Sequence, residues 1–125
     1  MKHALLGNLE VSRIGLGAMG MSHGYTGAGS DDDESIRTIH RALDLGVNLI
    51  DTAEIYGPYI NEELVGRAIK GRREEVVLAT KFGLVSHASG RVWQVDSSPV
   101  NVRAAVESGP GNHERVRSDL RICAI

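Results

Sequence analysis

The chain has 125 residues, enough for one domain of ordinary size, and its 42% apolar and 24% charged content permits a packed core. With 14 Lys and Arg against 16 Asp and Glu the net charge is −2, which leaves no basic footprint for nucleic acid or an acidic membrane, so neither is an expected partner. Cys123 is the single cysteine, which excludes an internal disulfide; no apolar run approaches the roughly 20 residues that span a bilayer and the opening residues are too short for a signal peptide, so a reducing, cytoplasmic setting is expected.

Ala4-Leu5-Leu6 and Leu9-Glu10-Val11 flank Gly7-Asn8, a pair suited to a two-residue turn with positive φ, and predict a hairpin. Arg13 to Gly17 reads as a short strand entering a glycine-rich loop that runs to about Ser30, long for a plain connector. Asp31-Asp32-Asp33-Glu34 places acids where the free N–H groups of a helix start favour them. Ile36, Ile39, Ala42 and Leu43 recur at helical spacing, and Gly46 stops that helix.

Val47 to Ile50 is the next predicted strand, and it ends at Asp51. Asn61 suits the N-cap of a second helix with Leu64, Val65, Ala68 and Ile69 on one stripe, ending near Gly71. Glu75 to Thr80 is a third strand whose unbroken apolar centre suits burial on both faces, and it ends at Lys81. Ser97-Ser98-Pro99 supplies a cap and an N-terminal proline for a third helix through Val102, Ala105 and Val106. Strands alternating with helices give an α/β class with parallel strands. Past Glu107 the pattern fails: Ser108-Gly109-Pro110-Gly111 breaks the helix, and the Arg-rich stretch to Arg121 has no clear period.

Asp51, Tyr56 and Lys81 fall at comparable places, at or just after strand ends. In a parallel barrel those places share the C-terminal face, where active sites are built. A tyrosine hydroxyl is a reluctant acid until something stabilises its phenolate, and a neighbouring ammonium, itself held by a carboxylate, does so. Each residue also has a plain reading: Asp51 as a turn residue, Tyr56-Gly57-Pro58-Tyr59 as an ordinary turn, Lys81 as a solvated charge. Gly15-Leu16-Gly17-Ala18-Met19-Gly20 matches the dinucleotide fingerprint Gly-x-Gly-x-x-Gly, but the loop continues through Gly24, Gly27 and Gly29 before any helix starts, so a Rossmann domain is not expected. The Tyr-x-x-x-Lys pair of short-chain dehydrogenases is absent, and five scattered histidines with one cysteine offer no metal-ligand spacing, so no metal is expected. Trp93 is expected to pack against the rim in preference to facing a substrate.

Taken in order, Val11 to Gly20, the Asp51-Thr52-Ala53-Glu54-Ile55-Tyr56-Gly57 run, Asn61 to Gly66, Ala79-Thr80-Lys81-Phe82-Gly83 and Ser97-Ser98-Pro99 resemble the aldo-keto reductase family over about residues 4–107. The resemblance implies a (β/α)8 TIM barrel closed below by an N-terminal hairpin. This chain would hold the hairpin and about three strand-helix units, an incomplete barrel, since eight units need about 250 residues. It implies NADPH-dependent reduction of an aldehyde or ketone, a small-molecule carbonyl substrate, without metal. Tyr56 would be the general acid, Lys81 would tune it and Asp51 would pair with the lysine; Gly17, Ala18 and Met19, with Asp51, would lie beside the nicotinamide end of the cofactor. The domain reading is residues 1–107 as the N-terminal part of that domain and 108–125 as a divergent tail. The family's fourth catalytic residue, a histidine closing the next strand, has no counterpart in a Leu-Tyr-x-x-His setting, and His113 does not take that role. The alternative reading is therefore a truncated, catalytically inactive remnant or interaction module.

Overall fold

A computed structural model describes residues 1–25, 29, 31–107 and 121–122 of the chain. Strand β1 (His3–Leu6) turns back on β2 (Leu9–Ser12) through Gly7-Asn8, with Leu6 opposite Leu9. Gly7 has φ +62°, the positive value that a two-residue hairpin asks of its first loop position; of the pair, Gly7 alone is left-handed. The expected strand from Arg13 shrinks to β3 (Leu16–Gly17) because the Arg13 N–H donates to the Lys2 carbonyl at 3.0 Å and so prolongs the hairpin.

Helix α1 (Asp32–Asp44) begins where the acidic run predicts, with the Asp31 carboxylate accepting the Glu34 N–H at 2.8 Å. It ends at Leu45, and Gly46 follows at φ +84°. Strand β4 (Leu49–Asp51), helix α2 (Ile60–Ala68), strand β5 (Val77–Thr80), the hairpin of β6 (Val85–Ser86) and β7 (Arg91–Val92), helix α3 (Pro99–Glu107) and β8 (Arg121–Ile122) complete the described elements. Glu75 lies outside β5, in a 3-10 turn from Arg73 to Glu75.

The main sheet is parallel in the order β3, β4, β5, β8, and among the described residues it does not close on itself. An open fragment of the expected TIM barrel is what this topology provides. Strand β8 lies in the stretch where the sequence showed no period. Its pairing with β5 runs through backbone groups, which leave no side-chain signature.

Ile39 and Leu43 of α1, Ile50 of β4, Leu78 of β5, and Val65, Ala68 and Ile69 on and just after α2 form one buried cluster on the helix-covered face. Leu78 and Thr80 are buried while Val77 and Ala79 are half-buried, so β5 is fully covered on one face only. The two-faced burial expected of it needs strands on the other side, which the described sheet does not supply.

Candidate active site

The parallel register sets Gly17, Asp51 and Ala79 side by side, so the chain segments leaving β3, β4 and β5 emerge together. The ladder runs on past the strands: the Thr52 N–H donates to Ala79 O at 2.9 Å and the Glu54 N–H to Lys81 O at 3.1 Å. Asp51, Tyr56 and Lys81, read from the sequence as one group, meet there.

Lys81 Nζ lies 2.5 Å from Asp51 Oδ1, 2.9 Å from the Thr52 carbonyl and 3.4 Å from Tyr56 Oη. An ammonium has three donors, and these three acceptors use them. Because the tyrosine oxygen accepts from Lys81, its own proton is left to donate elsewhere. Burial pulls the Lys81 pKa down, but the hydrogen bond and charge of Asp51, with Tyr56 adding to them, outweigh it, and the value stands above that of an ordinary lysine. Lys81 is therefore charged at neutral pH. At neutral pH the raised Lys81 pKa contributes stability, and that contribution is lost as pH rises through the raised folded value.

Tyr56 and Lys81 open onto a cavity of about 340 Å³ lined otherwise by Ala53, Ile55, Phe82, Leu84 and Val95, with Glu54 at its wall. The His23 ring stacks on Tyr56 at 6.4 Å between centroids and meets Trp93 at 5.9 Å. Trp93 is 63% exposed and left-handed at φ +63°, so in place of the packing role expected of it the ring stands largely in solvent, meeting His23.

Ala18 is fully buried; its N–H donates to Asp51 O at 2.8 Å and its carbonyl accepts from Asn61. Met19 begins a 3-10 turn. Gly17 is exposed beside Asp51, with open space where a side chain would stand.

Asn61 is not the helix cap that its residue type suggests. Tyr59, left-handed at φ +70°, precedes α2, and Asn61 sits inside the first turn with no exposed surface. Its amide accepts from Thr52 Oγ1 at 2.6 Å and donates to Ala18 O at 2.8 Å and Ser22 Oγ at 2.6 Å, while Ser22 Oγ donates to Tyr56 O at 3.2 Å. One buried side chain thus ties the glycine-rich loop to the segment carrying Asp51 and Tyr56. Asn61→Ala should cost about 2–3 kcal/mol in urea unfolding, since the buried Thr52 hydroxyl loses its acceptor, Ala18 O and Ser22 Oγ each lose one hydrogen bond, and a buried side chain leaves a gap. A change below about 0.5 kcal/mol, the size of an ordinary surface substitution, would remove this role.

Glu54 and His87 were not picked out from the sequence. Glu54 is buried between apolar neighbours, its carboxylate taking the Gly83 N–H at 2.8 Å and lying 3.3 Å from His87 Nε2. A charged residue inside the apolar Ala53 to Ile55 stretch was the available signal; its partner, 33 positions on, was not. Among the described residues no group of three or more His, Cys, Asp or Glu is placed to hold a metal ion, and no helix is long and apolar enough to cross a membrane.

Fold and site define a parallel strand-helix protein of barrel type with an Asp-Tyr-Lys group at its strand ends. The chain belongs to the aldo/keto reductase family, whose sequence profile matches residues 13–123. It is 51% identical over 78 residues to the aldo-keto reductase YhdN of Bacillus subtilis, covering 61% of this chain and 23% of that protein. The holo form of an aldo-keto reductase from Bacillus halodurans superposes with a TM-score of 0.72 at 37% identity, covering 85% of this chain and 34% of the other. An aldo-keto reductase from Klebsiella pneumoniae, solved in complex with NADPH, superposes with a TM-score of 0.51 at 34% identity over 63% of this chain and 27% of its own. The chain spans about a third or less of the length of each.

Proposed function

We propose that these residues form the proton-donating half of an NADPH-dependent carbonyl reductase, which converts a small aldehyde or ketone to an alcohol. One observation carries the reading: a single ammonium, Lys81 Nζ, bridges Asp51 Oδ1 at 2.5 Å and Tyr56 Oη at 3.4 Å beside an apolar cavity. NADPH, when bound, supplies the hydride. Tyr56 Oη gives its proton to the carbonyl oxygen as negative charge develops there, and the Lys81 ammonium stabilises the phenolate left behind. Asp51 keeps Lys81 charged and aimed. The apolar walls given by Ala53, Ile55, Phe82 and Leu84 receive the substrate's body and exclude water.

The open surface over Gly17 and the partly exposed Asp51 carboxylate suit the nicotinamide end of the cofactor, with Gly17, Ala18 and Met19 forming its border. Ala18 serves there by fixing the backbone, because both its polar groups are already bonded within the protein. In this reading residues 1–107 are the family domain's N-terminal part and 108–125 a divergent tail, although the family profile runs on to residue 123, and the protein works in the cytoplasm.

The open four-stranded sheet favours a second reading, that the 125-residue chain is a catalytically inactive remnant or interaction module of the family. Titrating purified chain with NADPH, followed by fluorescence, and then adding an aldehyde separates the two. Saturable binding with steady NADPH consumption would establish a reductase in the chain itself. Absence of both, together with turnover by a chimaera joining residues 1–107 to the rest of the Bacillus subtilis relative, would place the activity in the larger assembly. A chimaera that binds NADPH and reduces no aldehyde would refute the proposal.

A further inference from the structure

We propose that Glu54 is a positioning residue for Lys81: its buried side chain clamps the turn after Lys81 to the segment carrying Asp51 and Tyr56, and His87 holds the clamp in place. The inference rests on the reading of Lys81 given above and extends it to the Glu54–His87 pair.

Glu54 grips the Lys81 turn at two points. Its backbone N–H donates to Lys81 O at 3.1 Å, and its Oε1 accepts the Gly83 N–H at 2.8 Å. Gly83 is left-handed at φ +105°, a conformation open to glycine, and in that conformation its N–H meets the carboxylate. The second oxygen, Oε2, lies 3.3 Å from His87 Nε2, and both side chains are largely buried, at 4% and 13% exposure. His87 is fixed in turn: its N–H donates to Asn101 Oδ1 at 2.8 Å, and the Asn101 amide donates to Val85 O at 3.1 Å and Asp96 O at 2.8 Å. Helix α3 and the β6–β7 hairpin are thereby tied to the turn that aims Lys81.

Stability alone does not explain an acid at this place. Ala53 and Ile55 on either side are buried apolar residues, and a well-packed apolar side chain would avoid the cost of taking a carboxylate out of water. What the acid adds is a fixed acceptor for Gly83 at a set distance from Lys81. The ionisable groups concerned are few: His87 faces Glu54, Tyr59 and Asp96 lie near His87, and Asp51 and Tyr56 face Lys81.

The test reads Lys81 directly and so does not depend on turnover. The chain has three lysines, Lys2, Lys70 and Lys81, and dilute acetic anhydride with mass spectrometry gives the acetylation rate of each as a function of pH. In Glu54→Ala the ammonium should drift from Asp51. Lys81 should then react roughly threefold to tenfold faster at neutral pH, with its half-maximal rate at lower pH, while exposed Lys2 and Lys70 are unchanged. Glu54→Gln, whose amide oxygen still accepts from Gly83, should restore wild-type rates. A folded Glu54→Ala chain with the wild-type Lys81 profile would overturn the proposal, as would acceleration shared by all three lysines or a Gln variant as disturbed as Ala. Should circular dichroism show that Glu54→Ala does not fold, Glu54→Asp, one methylene too short to reach Gly83, is read by the same criteria. Failure of the reductase reading would show separately, as turnover indifferent to Tyr56→Phe.

Discussion

Tyr56→Phe, made in a chimaera that joins residues 1–107 to the rest of the Bacillus subtilis relative, should lower kcat for aldehyde reduction by about 10²–10⁴, while NADPH affinity stays nearly unchanged. The size follows from what is removed. The hydroxyl contributes a proton in the transition state and little to ground-state binding, so the loss, about 3–5 kcal/mol of barrier, falls on kcat. The ring remains, and with it the stack on His23 and the packing against Ala53, Ile55 and Val85. Steady-state rates with NADPH in excess, alongside a fluorescence titration of the cofactor, measure both halves of the expectation. Retention of most of the activity would mean that another group supplies the proton.

Lys81→Met should reduce kcat by on the order of 10², because the phenolate formed at Tyr56 loses the positive charge that Lys81 places against it. Methionine keeps most of the side chain's length and apolar body, which limits the effect on packing. Some stability is nevertheless lost, since the Thr52 carbonyl and Asp51 each give up a partner. The pH dependence separates catalysis from damage. In the parent enzyme Lys81 stays charged until pH passes above the ordinary lysine value, so a fall in rate tied to its deprotonation comes only at that alkaline end. The Met variant has no such limb. A variant that is merely less stable would keep the parent profile at reduced amplitude.

The grouping of Asp51, Tyr56 and Lys81 was legible because Asp51 and Lys81 close or follow strands, with Tyr56 in the loop after the first of them, and strand ends were marked by composition. Leu49-Ile50 followed by Asp51, and Val77 to Thr80 followed by Lys81, show an apolar run stopping at a charge, and parallel register then brings the charges together. Helix α1 was equally open to reading, its start written in Asp31 to Glu34 and its end in Gly46. Asn61 was misplaced for a physical reason: Asn caps helices in general, whereas here tertiary demand for a buried amide linking Thr52, Ala18 and Ser22 prevails, and left-handed Tyr59 leads into the helix. Glu54 and His87 were out of reach because their pairing depends on how the β6–β7 hairpin folds back, a long-range contact with no local period. Strand β8 was hidden in the same way, its pairing with β5 being a long-range contact with no local period.

That Tyr56 and Lys81 act as a unit is tested most directly by the double variant Tyr56→Phe/Lys81→Met in the same chimaera. Once the hydroxyl is gone, the ammonium has no phenolate to stabilise, so removing it should cost little more. The double variant is expected to be about as slow as Tyr56→Phe alone. A kcat lowered by the product of the two single losses, roughly 10⁴ or more if each alone costs about 10² or more, would show that the two residues act independently and would contradict the assignment of one proton-donating device to them.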